Sequence, residues 1–475
     1  MTSWRPLLTG PLADRAWQVI DEIAAVLEQG TAGTAGDELL PGPSLAGGAA
    51  GGALFFAYRA QARAASSPGD FDADADRAGA FLERSTEALS SVPLPPDLYG
   101  GFTGVAWTAE HLYGPAFAGP PPAAAAALDS GDRATAGGDG VTADAAGDED
   151  EDPLAEIDEA LLQYLDHSPW TADYDLVRGL AGLGVYTLER LPRPSALACL
   201  SKIVERLSEI AEHGPQGVTW HTPAELLPDW QRDLYPEGYY NVGVAHGVPG
   251  VLTLLGAAWG AASRLAAAGD ASAGELAARI RPLLDGGVRW LLAQRLPPGE
   301  ATWFGSTFSA QTPARPSRLA WCYGDPGIAA ALLVTARACG EPAWERLAVD
   351  LALDTAARPV AGSLVRDAGL CHGSAGLGHL FNRIHQATGE PRLAEASRAW
   401  FERALDFRQP GEGLAGYRSF WVDPDGATET WLSTAGFLEG IAGIGLALLA
   451  GVSDVEPAWD RVLALSTAAT EPVAR

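Results

Sequence analysis

Lysine, methionine and cysteine are nearly missing from this chain of 475 residues. It has one lysine (Lys202), one methionine (Met1) and four cysteines (Cys199, Cys322, Cys339, Cys371). The lone lysine stands in LSKIV, so the phosphate-cradling pattern GxxxxGK[ST] cannot occur, and a P-loop nucleotide site is excluded. Four cysteines are too few to staple a chain of this length, and in a reducing compartment they are thiols, core residues or metal ligands. Positive charge is also scarce: 32 Lys and Arg against 60 Asp and Glu leave a formal charge of −28. A surface that neutralises nucleic-acid phosphates or settles on an anionic membrane needs the opposite sign. The N-terminus carries no apolar core long enough for a signal peptide. The longest small or apolar runs, such as Gly250–Ser263, stop at a charge such as Arg264, short of the roughly 20 residues a membrane helix needs. These absences place the protein in the cytoplasm. Alternating strand signals are sparse too, which leaves little support for an α/β fold.

What the chain does have is glycine and proline, 56 and 34 residues, well above the usual share. Most of the glycine excess recurs as Gly-x-x-Gly opening an apolar helical run. The pairs are Gly48/Gly51, Gly101/Gly104, Gly179/Gly182, Gly247/Gly250, Gly324/Gly327, Gly373/Gly376 and Gly440/Gly443. Spacings of 53, 78, 68, 77, 49 and 67 residues are too irregular for a solenoid of fixed period, but the unit repeats seven times. Between copies lie amphipathic helices, with apolar positions at Leu200, Ile203, Val204, Leu207, Ile210 and Ala211, and at Leu393, Ala396, Trp400, Ala404 and Phe407. A helix apolar on all sides must be buried, and a ring walled by outer amphipathic helices buries seven of them. The pattern therefore predicts an all-α fold, an α/α toroid of about seven inner and seven outer helices, in one domain spanning 1–475. Residues 120–152 do not fit this rhythm. They are rich in Ala, Gly and Pro and end in DEDED, a composition that cannot offset its ordering entropy; a disordered acidic insertion is expected there.

Repeats four to six place polar residues beside their glycines: His246 in AHG, Cys322-Tyr323 in WCYG and Cys371-His372 in LCHG. In a pseudo-symmetric ring these face the same end of the cavity. Two thiolates and an imidazole suit Zn²⁺, and a set of three leaves an open fourth position, the mark of a catalytic rather than structural site. His246 is open to reading as a fourth ligand, an acid–base group or a helix-end histidine, with acid–base work favoured. Cys199 and Cys339 sit in apolar helical runs and read as core thiols. His111, His167, His213, His221, His379 and His385 read as structural or surface residues.

The segments NVGVAHGVPG, AWCYGDPG, LCHGSAG and FLEGIAGIGLALL resemble the lanthionine synthetase C-like family, the cyclases of lanthipeptide biosynthesis. The likeness runs from about Ser44 to Leu449 outside the acidic insertion. It implies a zinc ion on Cys322, Cys371 and His372, and Michael-type addition of peptide cysteine thiolates to dehydroalanine or dehydrobutyrine. It implies His246 as the acid–base group, Asp175 in YDLVRGLAG as its partner, and Arg318 and Tyr323 as the remaining polar site residues. Arg318 and the converging N-termini of the inner helices would stabilise the enolate. The first repeat begins near residue 44, so a stand-alone class I type cyclase is expected, fed by a separate dehydratase, with a complex that includes an exporter as a further expected partner. Its partner is a precursor peptide of leader and dehydrated core, with no nucleic acid and no membrane insertion. At −28 the protein cannot attract an acidic leader by overall charge, so recognition rests on local pockets. Rival readings are a relative that adds glutathione to dehydrated residues, and a non-catalytic scaffold that binds the modified peptide.

Overall fold

The computed structural model describes residues 4–29, 39–40, 42–64, 68–114, 152–423 and 428–467. The acidic insertion expected at 120–152 lies outside them except for Asp152, whose carboxylate accepts from Leu154 N and pairs with Arg190.

Each of the seven glycine pairs opens a helix, and in each the first glycine is the residue just ahead of the first turn. These seven inner helices are α2 (Ala49–Arg63), α4 (Phe102–Tyr113), α6 (Leu180–Arg190), α9 (Val248–Ala267), α11 (Asp325–Cys339), α13 (Ser374–Thr388) and α15 (Ile441–Val452). Each packs on the next, and α15 returns to α2, so the ring closes. Around it run α1 (Pro11–Glu28), α3 (Pro68–Leu89), α5 (Ala155–Leu165), α7 (Pro194–Glu209), α10 (Ala271–Ala293), α12 (Pro342–Ala356) and α14 (Pro391–Asp406). A short helix, α8 (Asp229–Leu234), stands apart from both layers. The fold is the expected α/α toroid. By length and composition α9 reaches membrane-spanning size at 20 residues, more than its sequence run implied; it is an inner helix packed against α6, α10 and α11.

The amphipathic helices bury the predicted stripes. Leu200, Ile203, Val204 and Leu207 are buried on α7, and Leu393, Trp400 and Ala404 on α14. Ile210 and Ala211 fall beyond α7, where the chain turns into a strand instead of extending the helix. Among the described residues, seven short strands form three antiparallel sheets in the connections. They are β1 (Glu212–Gly214) with β2 (Gly217–Thr219), then β3 (His221–Thr222), β4 (Tyr239–Asn241) and β5 (Thr307–Phe308) in that spatial order, and β6 (Ser419–Val422) with β7 (Glu429–Leu432).

No side chain caps any of the seven inner helices. Backbone does it instead. In five repeats the first helical N–H donates to the carbonyl six residues before the first glycine: Ala49 to Gly42, Phe102 to Pro95, Leu180 to Asp173, Ser374 to Asp367 and Ile441 to Thr434. The loop thus folds back over the helix's otherwise unsatisfied amides. This geometry explains the second glycine. A Cβ on Gly376 would lie 2.0 Å from the Leu370 carbonyl oxygen, and one on Gly327 2.2 Å from that of Trp321.

The loops are also bonded to one another around the ring. Ala245 N–H donates to Cys322 O, Cys322 to Cys371 O, Cys371 to Leu438 O, Leu438 to Ala46 O and Ala46 to Tyr99 O. All seven inner helices therefore start at one end, the mouth. Inside the ring lies a 3₁₀ segment near the chain's end, Ala458–Leu463. Trp459 stacks on His379 of α13, Arg461 pairs with Glu189 of α6, and Asp460 accepts from His379 Nε2 at 2.8 Å and Arg383 Nε at 2.8 Å. At its end Tyr99 OH and Trp321 Nε1 donate to the carbonyls of Val462 and Leu463 at 2.7 and 2.8 Å.

Candidate metal centre

The backbone ring puts equivalent residues of each repeat in columns at the mouth. Two positions before the first glycine stand Ala46, Tyr99, Val177, Ala245, Cys322, Cys371 and Leu438; one position before stand Gly47, Gly100, Arg178, His246, Tyr323, His372 and Glu439. Cys322 and Cys371 are thus neighbours in one column, joined by the Cys322 N–H to Cys371 O bond at 3.3 Å. His372 follows in the next column, which His246 shares with it.

The ligand atoms of Cys322, Cys371 and His372 all lie within 4.8 Å of one another. Tetrahedral zinc, with bonds of about 2.3 Å to sulfur and about 2.0–2.1 Å to nitrogen, spaces its ligand atoms roughly 3.5–3.8 Å apart, so about 1 Å of closure at most is required. His372 Nδ1 is buried with no hydrogen-bond partner, a spare lone pair of the kind a metal takes. Its Nε2 faces Asp367 Oδ2 at 4.0 Å, the carboxylate that commonly orients a ligating imidazole from behind. Soft thiolates with one imidazole are a zinc donor set. The residues fit the ion.

Their electrostatics favour charge on sulfur. The adjacent Cys371 thiol, with His372 and Arg318, holds the Cys322 thiol well below its usual range despite burial, while Cys322 and burial raise Cys371. Burial works against the His372 cation, but Cys322 beside it raises the imidazole's pKa.

Across the mouth, His246 Nδ1 donates to Asp175 Oδ2 at 2.6 Å. Burial lowers the His246 pKa, and Asp175 overcomes it by charge and hydrogen bond, so the net shift is upward; the Cys322 charge reaches it as well. Tyr323 lies with its ring 6.3 Å from that of His246, and its hydroxyl accepts from Asn241 Nδ2 at 3.1 Å. The charge of Arg318 acts on Cys322, Cys371, His372 and Glu439 alike, which sets it beside the cluster. Each sequence-predicted residue is therefore at the mouth. Five of the seven inner helices spend their first amide on a loop carbonyl; α9 and α11, which start beside His246 and Cys322, are not among them.

Sequence reasoning missed Glu439, Asp367 and Asn241. Glu439 closes the second column, and burial raises its carboxyl to about 7. Asp367 and Asn241 stand six residues before the first glycine, as do Arg318 and Asp173. Aligning the repeats by their first glycine would have exposed all three. Cys199 and Cys339 are buried thiols pushed up to about 12 by burial, as expected of core residues.

A profile of the lanthionine synthetase C-like protein family matches residues 141–464. Among solved structures, a nisin cyclase superposes with a TM-score of 0.64 at 18% identity, covering 94% of this chain and 97% of its own. No curated protein matches by sequence.

Proposed function

Because the chain belongs to the lanthionine synthetase C-like family, we propose that it is a zinc-dependent lanthipeptide cyclase. It joins peptide cysteines to dehydroalanine or dehydrobutyrine, forming lanthionine and methyllanthionine rings in a ribosomal precursor. The observation that carries this reading is the meeting of Cys322, Cys371 and His372 at the same mouth as the His246–Asp175 pair.

Cys322, Cys371 and His372 would hold the zinc, which when bound supplies thiol deprotonation at neutral pH, where a free cysteine is only a few per cent ionised. The remaining steps fall to side chains. As the C–S bond forms at the β-carbon, the alkene electron pair moves onto the carbonyl as an enolate. Arg318 supplies positive charge beside it. His246, kept protonated by Asp175, delivers a proton from Nε2 to the α-carbon. Asp175 fixes the tautomer by taking Nδ1–H, and Tyr323 with Asn241 walls the imidazole. The substrate arrives from a separate dehydratase, and a complex with an exporter suits the same role. The cytoplasm is the proposed location, in keeping with four free thiols.

The test begins with elemental analysis of reduced, purified protein. One zinc per chain, lost in Cys371→Ala, is expected. A peptide bearing one cysteine and one dehydroalanine is then incubated with protein, alkylated and weighed by mass spectrometry. Loss of alkylation with wild type, but not with Cys371→Ala, supports the reading. Zinc-free wild type, or unchanged alkylation, overturns it.

A further inference from the structure

None of the residues assigned so far grips a peptide away from its reacting atoms. We infer that the cleft between the β6–β7 hairpin and the end of α14 holds the substrate peptide, through an apolar side chain neighboured by a carboxylate. This inference rests on the cyclase reading. The cleft encloses about 170 Å³. Phe407, Tyr417 and Trp431 wall it, and Arg366 and Arg418, both about half exposed, border it.

The two arginines are held ready for an anion. Arg366 lies over the Phe420 ring at 4.4 Å and Arg418 over Trp431 at 5.8 Å. A guanidinium stacked on a ring still has its planar N–H fork free for a carboxylate. Their present partners, Glu429 and Glu412, are about half exposed; exposed pairs of this kind are weak, and a substrate carboxylate can replace them. The nearest buried acid, Asp367, is already committed, because its two oxygens accept from Gly369 N and Phe420 N at 3.1 and 2.9 Å.

The cleft also adjoins the metal centre. Asp367 lines the cleft and lies 4.0 Å from His372 Nε2, so the two share a wall. An extended peptide advances about 3.3 Å per residue, which puts a residue seated in the cleft within a few positions of the reacting cysteine. The hairpin is exposed and apolar on both faces, with Trp431 and Val422 on one and Trp421 and Leu432 on the other. A contiguous exposed apolar patch is commonly a binding surface.

The test uses zinc-loaded full-length protein and a fluorescein-labelled hexapeptide with a Glu-Phe-Leu-Glu centre and no cysteine. Anisotropy should show it bound at least tenfold more tightly than a Gly/Ser hexapeptide. Trp431→Ala and Arg418→Gln should each weaken it about tenfold. Trp230→Ala, an exposed tryptophan on α8, should leave affinity unchanged; thermal midpoint and zinc content verify that each variant folds. Equal binding of the two peptides, or affinity untouched in both Trp431→Ala and Arg418→Gln, overturns the inference. The probe cannot form a thioether, so protein that binds it but never closes a ring refutes the cyclase reading alone.

Discussion

At the scale of single residues, the His246–Asp175 pair makes the sharpest demand. With its pKa raised by Asp175, the imidazolium stabilises the fold fully below about 6.5, the unfolded value, and that contribution fades as pH rises through the folded value. In Asp175→Asn the burial and the Arg178 charge remain while the carboxylate is gone. The His246 titration should then fall below its usual value, read from its ring-proton NMR shift against pH; a midpoint unmoved by the substitution would separate the two residues. His246→Asn should cut kcat on the cysteine–dehydroalanine peptide by about 10²–10⁴, the worth of a positioned acid, with KM nearly unchanged. Much of this site was legible in the sequence. Cys322, Cys371, His372 and His246 announce themselves because polar residues interrupt an otherwise apolar repeat. Glu439 was passed over because a lone glutamate before a glycine is unremarkable until the ring sets it beside His372. Asp367 shows itself only when the repeats are aligned, and its contacts with Phe420 and His372 join segments that only the tertiary fold brings together.

At the scale of elements, the glycine pairs state a close approach, and only Gly324, with φ at 140°, also needs a backbone angle that favours glycine. Gly376→Ala would force its methyl against the Leu370 carbonyl, the residue before Cys371. The expected cost is about 1–3 kcal/mol or more, with weaker zinc retention on dialysis against a chelator. Gly79, in the outer helix α3, has no heavy atom within 4 Å of its missing Cβ. Gly79→Ala should stabilise by about 0.5–1 kcal/mol, and thermal unfolding of the two variants should move in opposite directions. The inner helices were readable because each begins at a repeated glycine pair. The seven strands were not. They are two to four residues long, too short to show alternation, and β6 and β7 carry apolar side chains on both faces.

At the scale of the whole molecule, the ring is filled as well as closed. Burial would raise Asp460, but Arg383 first and then His379 bring it down to about 2. Such a group stabilises above about 3.9, its unfolded value, and the gain is lost as pH falls toward 2. Asp460→Asn breaks a buried charge pair, which costs about 3–5 kcal/mol. Its thermal midpoint should lie well below wild type at pH 7, and the gap should narrow between pH 4 and pH 2; a constant gap would remove the ion pair from the account. The toroid followed from the sequence by counting repeats, whereas the inward segment at Ala458–Leu463 did not, because it breaks the pattern and contacts helices far away in the chain.

The ring's seam joins the two ends of the chain. Helix α1 packs on α15, Leu7 and Leu8 donate to Gly451 O, and Trp4 Nε1 reaches Ala450 O. On the ribosome α1 therefore waits for α15 to emerge before it can take its place in the seam, although its Asp21 and Glu28 pair with Arg59 and Arg77 of helices made sooner. Both cysteines and His372 are translated before that moment, but Leu438, whose carbonyl receives the Cys371 amide, is among the late arrivals. The bond from Cys371 to Leu438 thus forms late, and a ribosome stalled before codon 440 would display the thiols without the closed ring that gathers them.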